Sequence, residues 1–152
     1  MARCTQVIDA TPQDVFAVLS DPATYPDWVV GAKAMRDADD GFPAVGTRLH
    51  HRVGFGPLSV DDHTEVVDVA APYRLELRAK ARPLGTARVA MLVSPRGPRS
   101  SWVTMIEDPA DPLTRLVFNP LTHLAVRGRN RECLRRLKRL AEARATGAGA
   151  GR

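Results

Sequence analysis

One long helix stands at the end of this chain, after an unbroken run of strands that alternate apolar and polar residues. That order restricts the fold more than any other feature. Neither a one-sided sheet nor an amphipathic helix can bury its apolar side alone, so the helix must lie across one face of the sheet. Tyr73 to Ala81 shows the alternation most cleanly, with Tyr73, Leu75, Leu77 and Ala79 on one side and Arg74, Glu76, Arg78 and Lys80 on the other. One dry face and one wet face indicate antiparallel pairing rather than a doubly wound parallel sheet. The expected class is α+β: a curved antiparallel sheet of about six or seven strands around a long C-terminal helix, with two short helices after the first strand.

Local signals place the pieces. Ala2 to Asp9 reads as the first strand, and Thr11-Pro12 opens a helix with a hydroxyl cap before a proline at the first helical position. Asp21-Pro22 ends it and starts a shorter segment carrying Tyr25, Pro26 and Trp28. Gly46 to Phe55 and Leu58 to Val69 form a hairpin around Gly56-Pro57, because that turn sets apolar Val53 opposite Val60. The same register sets His51 opposite Asp62 and Leu49 opposite Thr64. Ala87, Val89, Met91 and Val93 continue the inward set, and continuity favours Val103, Met105 and Glu107 facing inward on the last strand. Asn119-Pro120 starts the long helix, whose expected apolar stripe is Leu121, Leu124, Gly128, Leu134, Leu137 and Ala141. Residues 2–145 make one domain, and Thr146 to Arg152, small and glycine-rich, are expected to be a disordered tail.

Composition excludes several function classes. At 152 residues, 44% hydrophobic and 26% charged, the chain is long enough for one core. The N-terminal stretch has no continuous apolar run, so neither a signal peptide nor a membrane span is expected and the cytoplasm is the expected location. Cys4 and Cys133 lack the spacing and nearby ligands of zinc or redox sites and read as structural thiols. The net charge of +5 gathers at Arg127, Arg129, Arg131, Arg135, Arg136, Lys138 and Arg139. With few aromatics among them, a solvated helix face fits better than a nucleic-acid platform.

The chemistry-bearing candidates are few. His50 and His51 are consecutive in a strand and point to opposite faces, so they do not share a metal, and no metal or cofactor is expected. His51 with Asp62 is the better pair, because a carboxylate beside an imidazole can fix its tautomer for general acid–base work; a structural pair in a polar corner is the alternative. Glu107, near the end of the last strand, is a candidate acid or polar anchor at a cavity mouth; a solvated strand-end carboxylate is the alternative. Tyr25 and Trp28 either wall a flat ligand or pack on the first helix. Gly128 either permits a close approach or bend, or is simply tolerated.

The segments Ala10-Thr11-Pro12 through Val15-Phe16, Leu19-Ser20-Asp21-Pro22, Tyr25-Pro26-Asp27-Trp28-Val29 and Arg129-Asn130-Arg131-Glu132-Cys133-Leu134-Arg135-Arg136-Leu137 carry a resemblance. Over about residues 2 to 144 the chain resembles the SRPBCC superfamily of polyketide cyclase/dehydrase and lipid-transport proteins, with the START or Bet v 1 helix-grip fold. The resemblance implies a hydrophobic small molecule between sheet and long helix, and, in some members, cyclisation or dehydration.

On that basis the expected ligand cavity is lined by Leu49, His51, Val53, Asp62, Thr64, Leu75, Leu77, Val89, Met91, Val103, Met105 and Glu107, with Tyr25 and Trp28 at one end and Leu121 and Leu124 closing it. Two other functions stay open. One is a cyclase or dehydratase using His51 and Asp62; the other is an interaction module working through the basic helix. A homodimer through Trp102 and Ile106 on the outer sheet face is also open.

Overall fold

In a computed structural model, seven strands form one antiparallel sheet in the order β1-β7-β6-β5-β4-β3-β2. The structure describes all residues except 33, 56, 82–84, 118 and 151–152. At 34, 36, 53–55, 58, 81, 113, 114, 117 and 148–150 it describes the backbone alone. The strands are β1 (Ala2–Ile8), β2 (Ala34–Ala38), β3 (Arg48–Phe55), β4 (Leu58–Ala70), β5 (Arg74–Ala81), β6 (Gly85–Gly97) and β7 (Ser100–Pro109). The helices are α1 (Pro12–Leu19), α2 (Tyr25–Trp28), α3 (Pro112–Val117) and α4 (Pro120–Ala150), with a single 3₁₀ turn at Pro22–Thr24.

The caps work as their residue types suggest. Thr11 Oγ1 accepts from Asp14 N at 3.2 Å, ahead of Pro12 in α1. Asn119 Oδ1 accepts from Thr122 N at 3.0 Å and starts α4. The β3–β4 register is Leu49↔Thr64, His51↔Asp62 and Val53↔Val60, the pairing expected from the sequence, although Gly56 of the expected turn lies outside the described residues. Gly46 makes the bend into β3 with φ +87, a left-handed backbone that favours glycine, and its N–H donates to Val66 O at 2.9 Å.

Four features depart from expectation. The short strand β2 and helix α3 carry no strong period and were not anticipated from the sequence. Tyr73 lies before β5 and is half-exposed. Glu76, on the outer face, is buried: Arg74 Nη2 lies 2.5 Å from one carboxylate oxygen and Arg88 Nε holds the other. The Arg74 hydrogen bond foremost, then that of Arg88, holds its carboxyl below the usual range despite burial. Finally, α4 stays helical as far as Ala150, through most of the segment expected to be a disordered tail.

The long helix packs chiefly on β1, α1 and α2, with lighter contact to β7. Asn130, Cys133, Leu134, Leu137 and Ala141 form its buried side. Leu121 and Leu124 are not on it; they are 80% and 66% exposed and do not close the interior. The reason is the step from Gly128 to Leu134. Six residues turn the helix by roughly 600°, about 120° short of two full turns, so the expected stripe crosses to a different face. Along β1, α4 meets the free strand edge directly: His123 Nε2 donates to Met1 O at 2.7 Å and Lys138 Nζ to Val7 O at 3.2 Å, while Glu142 Oε1 accepts from Asp9 N at 3.0 Å.

Candidate functional site

The inner face of the sheet can be read row by row from the strand registers. One row runs Glu107, Val89, Leu77, Val66 across β7, β6, β5 and β4. The next row, toward the ends at which β3 passes into β4 and β5 into β6, runs Pro109, Ala87, Ala79, Thr64, Leu49 across β7 to β3. His51 and Asp62 begin the row beyond. Side chains shrink along this path: behind Leu77 and Val89, the floor of β5 and β6 is two partly buried alanines, Ala79 and Ala87. Small residues on a concave face leave room above them.

Polar groups flank that floor. On one side His51 Nε2 shares a 2.8 Å hydrogen bond with Thr64 Oγ1, and Asp62 and Thr64 are both buried. Burial, the largest influence, pushes the His51 pKa down, the Asp62 carboxylate pulls it back up, and the net direction is down, so the ring is neutral at neutral pH. Thus His51 and Asp62 are cross-strand neighbours that interact electrostatically, while the Nε2 partner is Thr64. Asp62 Oδ1 accepts from His63 N at 3.0 Å. The preceding residue, His50, faces the other way and lies 3.0 Å from Asp39 Oδ1.

On the other side Glu107, 5% exposed, is paired with Arg129 of α4. The same guanidinium donates to Asn130 Oδ1 from Nε at 3.3 Å and from Nη2 at 3.1 Å. Asn130 is fully buried, and its Nδ2 has no partner among the described residues; the same holds for the Trp28 indole N–H. Two buried donors without acceptors are a local deficit, each of order 1–3 kcal/mol. Three strand spacings, roughly 14 Å, separate the β7 and β4 ends of these rows.

The remaining lining candidates divide by burial. Leu49, Leu75, Met91 and Val103 are at most 1% exposed, which leaves no water-sized space beside them: they are packed core. Leu77, Val89, Met105 and Thr64 are buried with slight exposure and border the alanine floor or its neighbouring rows. The Val53 side chain lies outside the described residues. Tyr25 and Trp28 are buried against each other, ring centroids 5.0 Å apart, and Phe42 meets Tyr25 edge-on at 5.9 Å. Tyr25 donates its hydroxyl to Leu19 O at 2.9 Å, and burial raises its pKa, so it acts as a packed anchor.

Sequence reasoning missed Ala79 and Ala87 as a floor and Arg129 as the partner of Glu107. Both alanines stand in the inward alternation, which reports facing and not size. Arg129 is hidden among other basic residues of α4, three of which have their own partners: Arg135 and Arg136 both pair with Glu132, and Lys138 with Glu142. Cys4 and Cys133 are buried free thiols, and burial pushes the Cys133 pKa up. Among the described residues no three metal-ligating side chains converge, and no helix is long and apolar enough to cross a membrane. On the outer face Trp102 is half-exposed under the Arg96 guanidinium, 5.5 Å from the ring centroid. Two surface hollows, of about 420 and 790 Å³, lie outside the sheet–helix interior.

The family model described as polyketide cyclase / dehydrase and lipid transport matches residues 2–142. Solved structures share the fold at low identity. A protein of Arthrobacter aurescens is 15% identical with a TM-score of 0.71, over 93% of this chain and 85% of that one. One of Nitrosomonas europaea is 13% identical at 0.70, over 93% of each chain, and one of Deinococcus radiodurans 18% identical at 0.65, over 93% and 97%. No curated protein matches the sequence.

Proposed function

Because this chain belongs to the polyketide cyclase/dehydrase and lipid transport family, we propose that it binds a hydrophobic small molecule over the Ala79–Ala87 floor, between the sheet and α4. The observation that carries this reading is the change of side-chain size along the inner face: bulky Leu77 and Val89 give way to paired alanines, with polar groups on both flanks. Such a site binds by burying an apolar body and orients it through a few hydrogen bonds. The unpartnered amide of Asn130 and the Arg129–Glu107 pair favour a guest with a hydrogen-bond acceptor at its α4 end.

Native mass spectrometry of the protein purified from its own host tests this reading. A small molecule should accompany the wild type, be lost from Ala87→Leu, and be retained by Ala90→Leu, which adds the same bulk on the opposite face. Retention by Ala87→Leu, or a chain that carries no molecule and does not enhance the fluorescence of 1-anilinonaphthalene-8-sulfonate, would remove the proposal.

A second reading rests on His51. A neutral imidazole beside a carboxylate at a partly open edge can accept a proton alpha to a carbonyl, the step that a cyclase or dehydratase needs. On this reading His51→Phe keeps the molecule found by mass spectrometry but no longer converts it. Unchanged conversion rules His51 out.

A further inference from the structure

The outer face of the sheet carries a charge fault. Across β3, β4, β5, β6 and β7 the register aligns Arg48, Glu65, Arg78, Arg88 and Asp108. Signs alternate except at the centre, where Arg78 and Arg88 stand directly opposite each other, an arrangement that destabilises an antiparallel pair. The neighbouring carboxylates do not cure it. Glu65 lies 4.0 Å from Arg48, Asp108 lies 3.4 Å from the amino terminus, and Glu76 engages Arg88 only through Nε. Arg78 has no acidic partner among the described residues, nor does Arg115 of α3.

These three arginines line one groove of about 790 Å³. Its far wall is held to the sheet by one backbone link and one carboxylate: Ala110 N donates to Thr86 O at 2.8 Å, and Thr86 N to the Asp111 carboxylate Oδ2 at 2.6 Å. That sets α3, which contacts β6 and β7, beside the strand carrying Arg88, with Arg115 lining the same groove. Arg88 is oriented through Nε by a buried carboxylate, which leaves its terminal nitrogens for another acceptor. Three guanidiniums lining one groove outnumber its two carboxylates, Asp108, which lies beside the amino terminus, and Asp111, which accepts from Thr86 N, and guanidinium forks match the bidentate geometry of an oxyanion.

We propose that this groove is a second binding site, separate from the apolar interior, for a phosphate-bearing ligand held by Arg78, Arg88 and Arg115. The phosphate oxygens complete the charge alternation that the strands leave broken. The phosphate belongs either to a soluble small molecule or to a lipid headgroup, and the two sources are separable by experiment.

Inorganic pyrophosphate titrated into the full chain should bind saturably, shifting the amide resonances of Arg78, Thr86 and Arg88 and raising the melting temperature. Arg78→Gln and Arg115→Gln should each weaken binding by roughly tenfold or more, while Arg131→Gln on the exposed side of α4 leaves it unchanged. Arg78→Gln should also melt no lower than wild type in anion-free buffer, because it removes a repulsion, and should gain less from pyrophosphate. Sedimentation with vesicles containing phosphatidic acid, lost in the same two variants, would identify a lipid headgroup as the source; pyrophosphate binding without vesicle binding would identify a soluble phosphate. Absence of saturable binding to both probes, or equal weakening by Arg131→Gln, overturns the proposal.

Discussion

The pair of Glu107 and Arg129 ties the last strand to α4, joining a buried carboxylate to a guanidinium that is 40% exposed. Removing one member of such a pair leaves the other desolvated without compensation, which costs more than the pair itself contributes. Arg129→Met is therefore expected to lower stability by about 3 kcal/mol, measured by urea denaturation. The double variant with Glu107→Gln should lose clearly less than the sum of the two single losses. Additive losses would show that the two side chains act independently. At this scale the sequence was partly legible: alternation brought Glu107 inward, and the turn chemistry set His51 opposite Asp62. It could not distinguish Arg129 from the arginines around it, because its role depends on a partner 22 residues away and on the rotation of a helix.

Elements follow from period and caps where these are strong. Thr11-Pro12 and Asn119-Pro120 mark helix starts, and the β3–β4 register pairs Val53 with Val60 as the apolar positions on either side of Gly56-Pro57 suggest. The short strand β2 joins the sheet by pairing with β3 through a shifted register, so no period of its own announces it. The reading of α4 failed for a geometric reason, since a six-residue gap in a leucine pattern is not a helical repeat. Gly128 belongs to that account. It is exposed, and an added Cβ would meet nothing within 4 Å, so neither a close approach nor a packing demand explains it. Gly128→Ala should stabilise the protein by up to about 1 kcal/mol through helix propensity. A loss of stability on thermal or urea unfolding would reveal a constraint at that turn.

For the whole molecule, acid sensitivity has two windows. His51 and His63 are both shifted down, first by burial, so below about pH 6.5 the unfolded chain binds more protons than the folded one. Stability should therefore be full above that pH and fall as the pH drops through the folded values. Urea midpoints at pH 7.5, 6.0 and 5.0 should decline, and His51→Gln should flatten the decline; an unchanged slope would show that His51 is not responsible. Glu76 and Glu132, both lowered by arginine hydrogen bonds, the latter to about 2, act in a separate range. Their contribution is present above their unfolded values and disappears only in stronger acid.

The contacts of α4 with β1 also affect how copies of this chain can meet. A terminal strand ordinarily offers a row of unused backbone groups to any passing chain, the usual beginning of aggregation. Here an imidazole, an ammonium and a carboxylate from one helix occupy outward-pointing backbone groups at both ends of that row, and the opposite terminal strand is interrupted by a bulge. Growth of the sheet by strand addition is blocked at one end and blunted at the other. A mutation that loosens the helix would thus expose a template for misassembly as well as an oily interior.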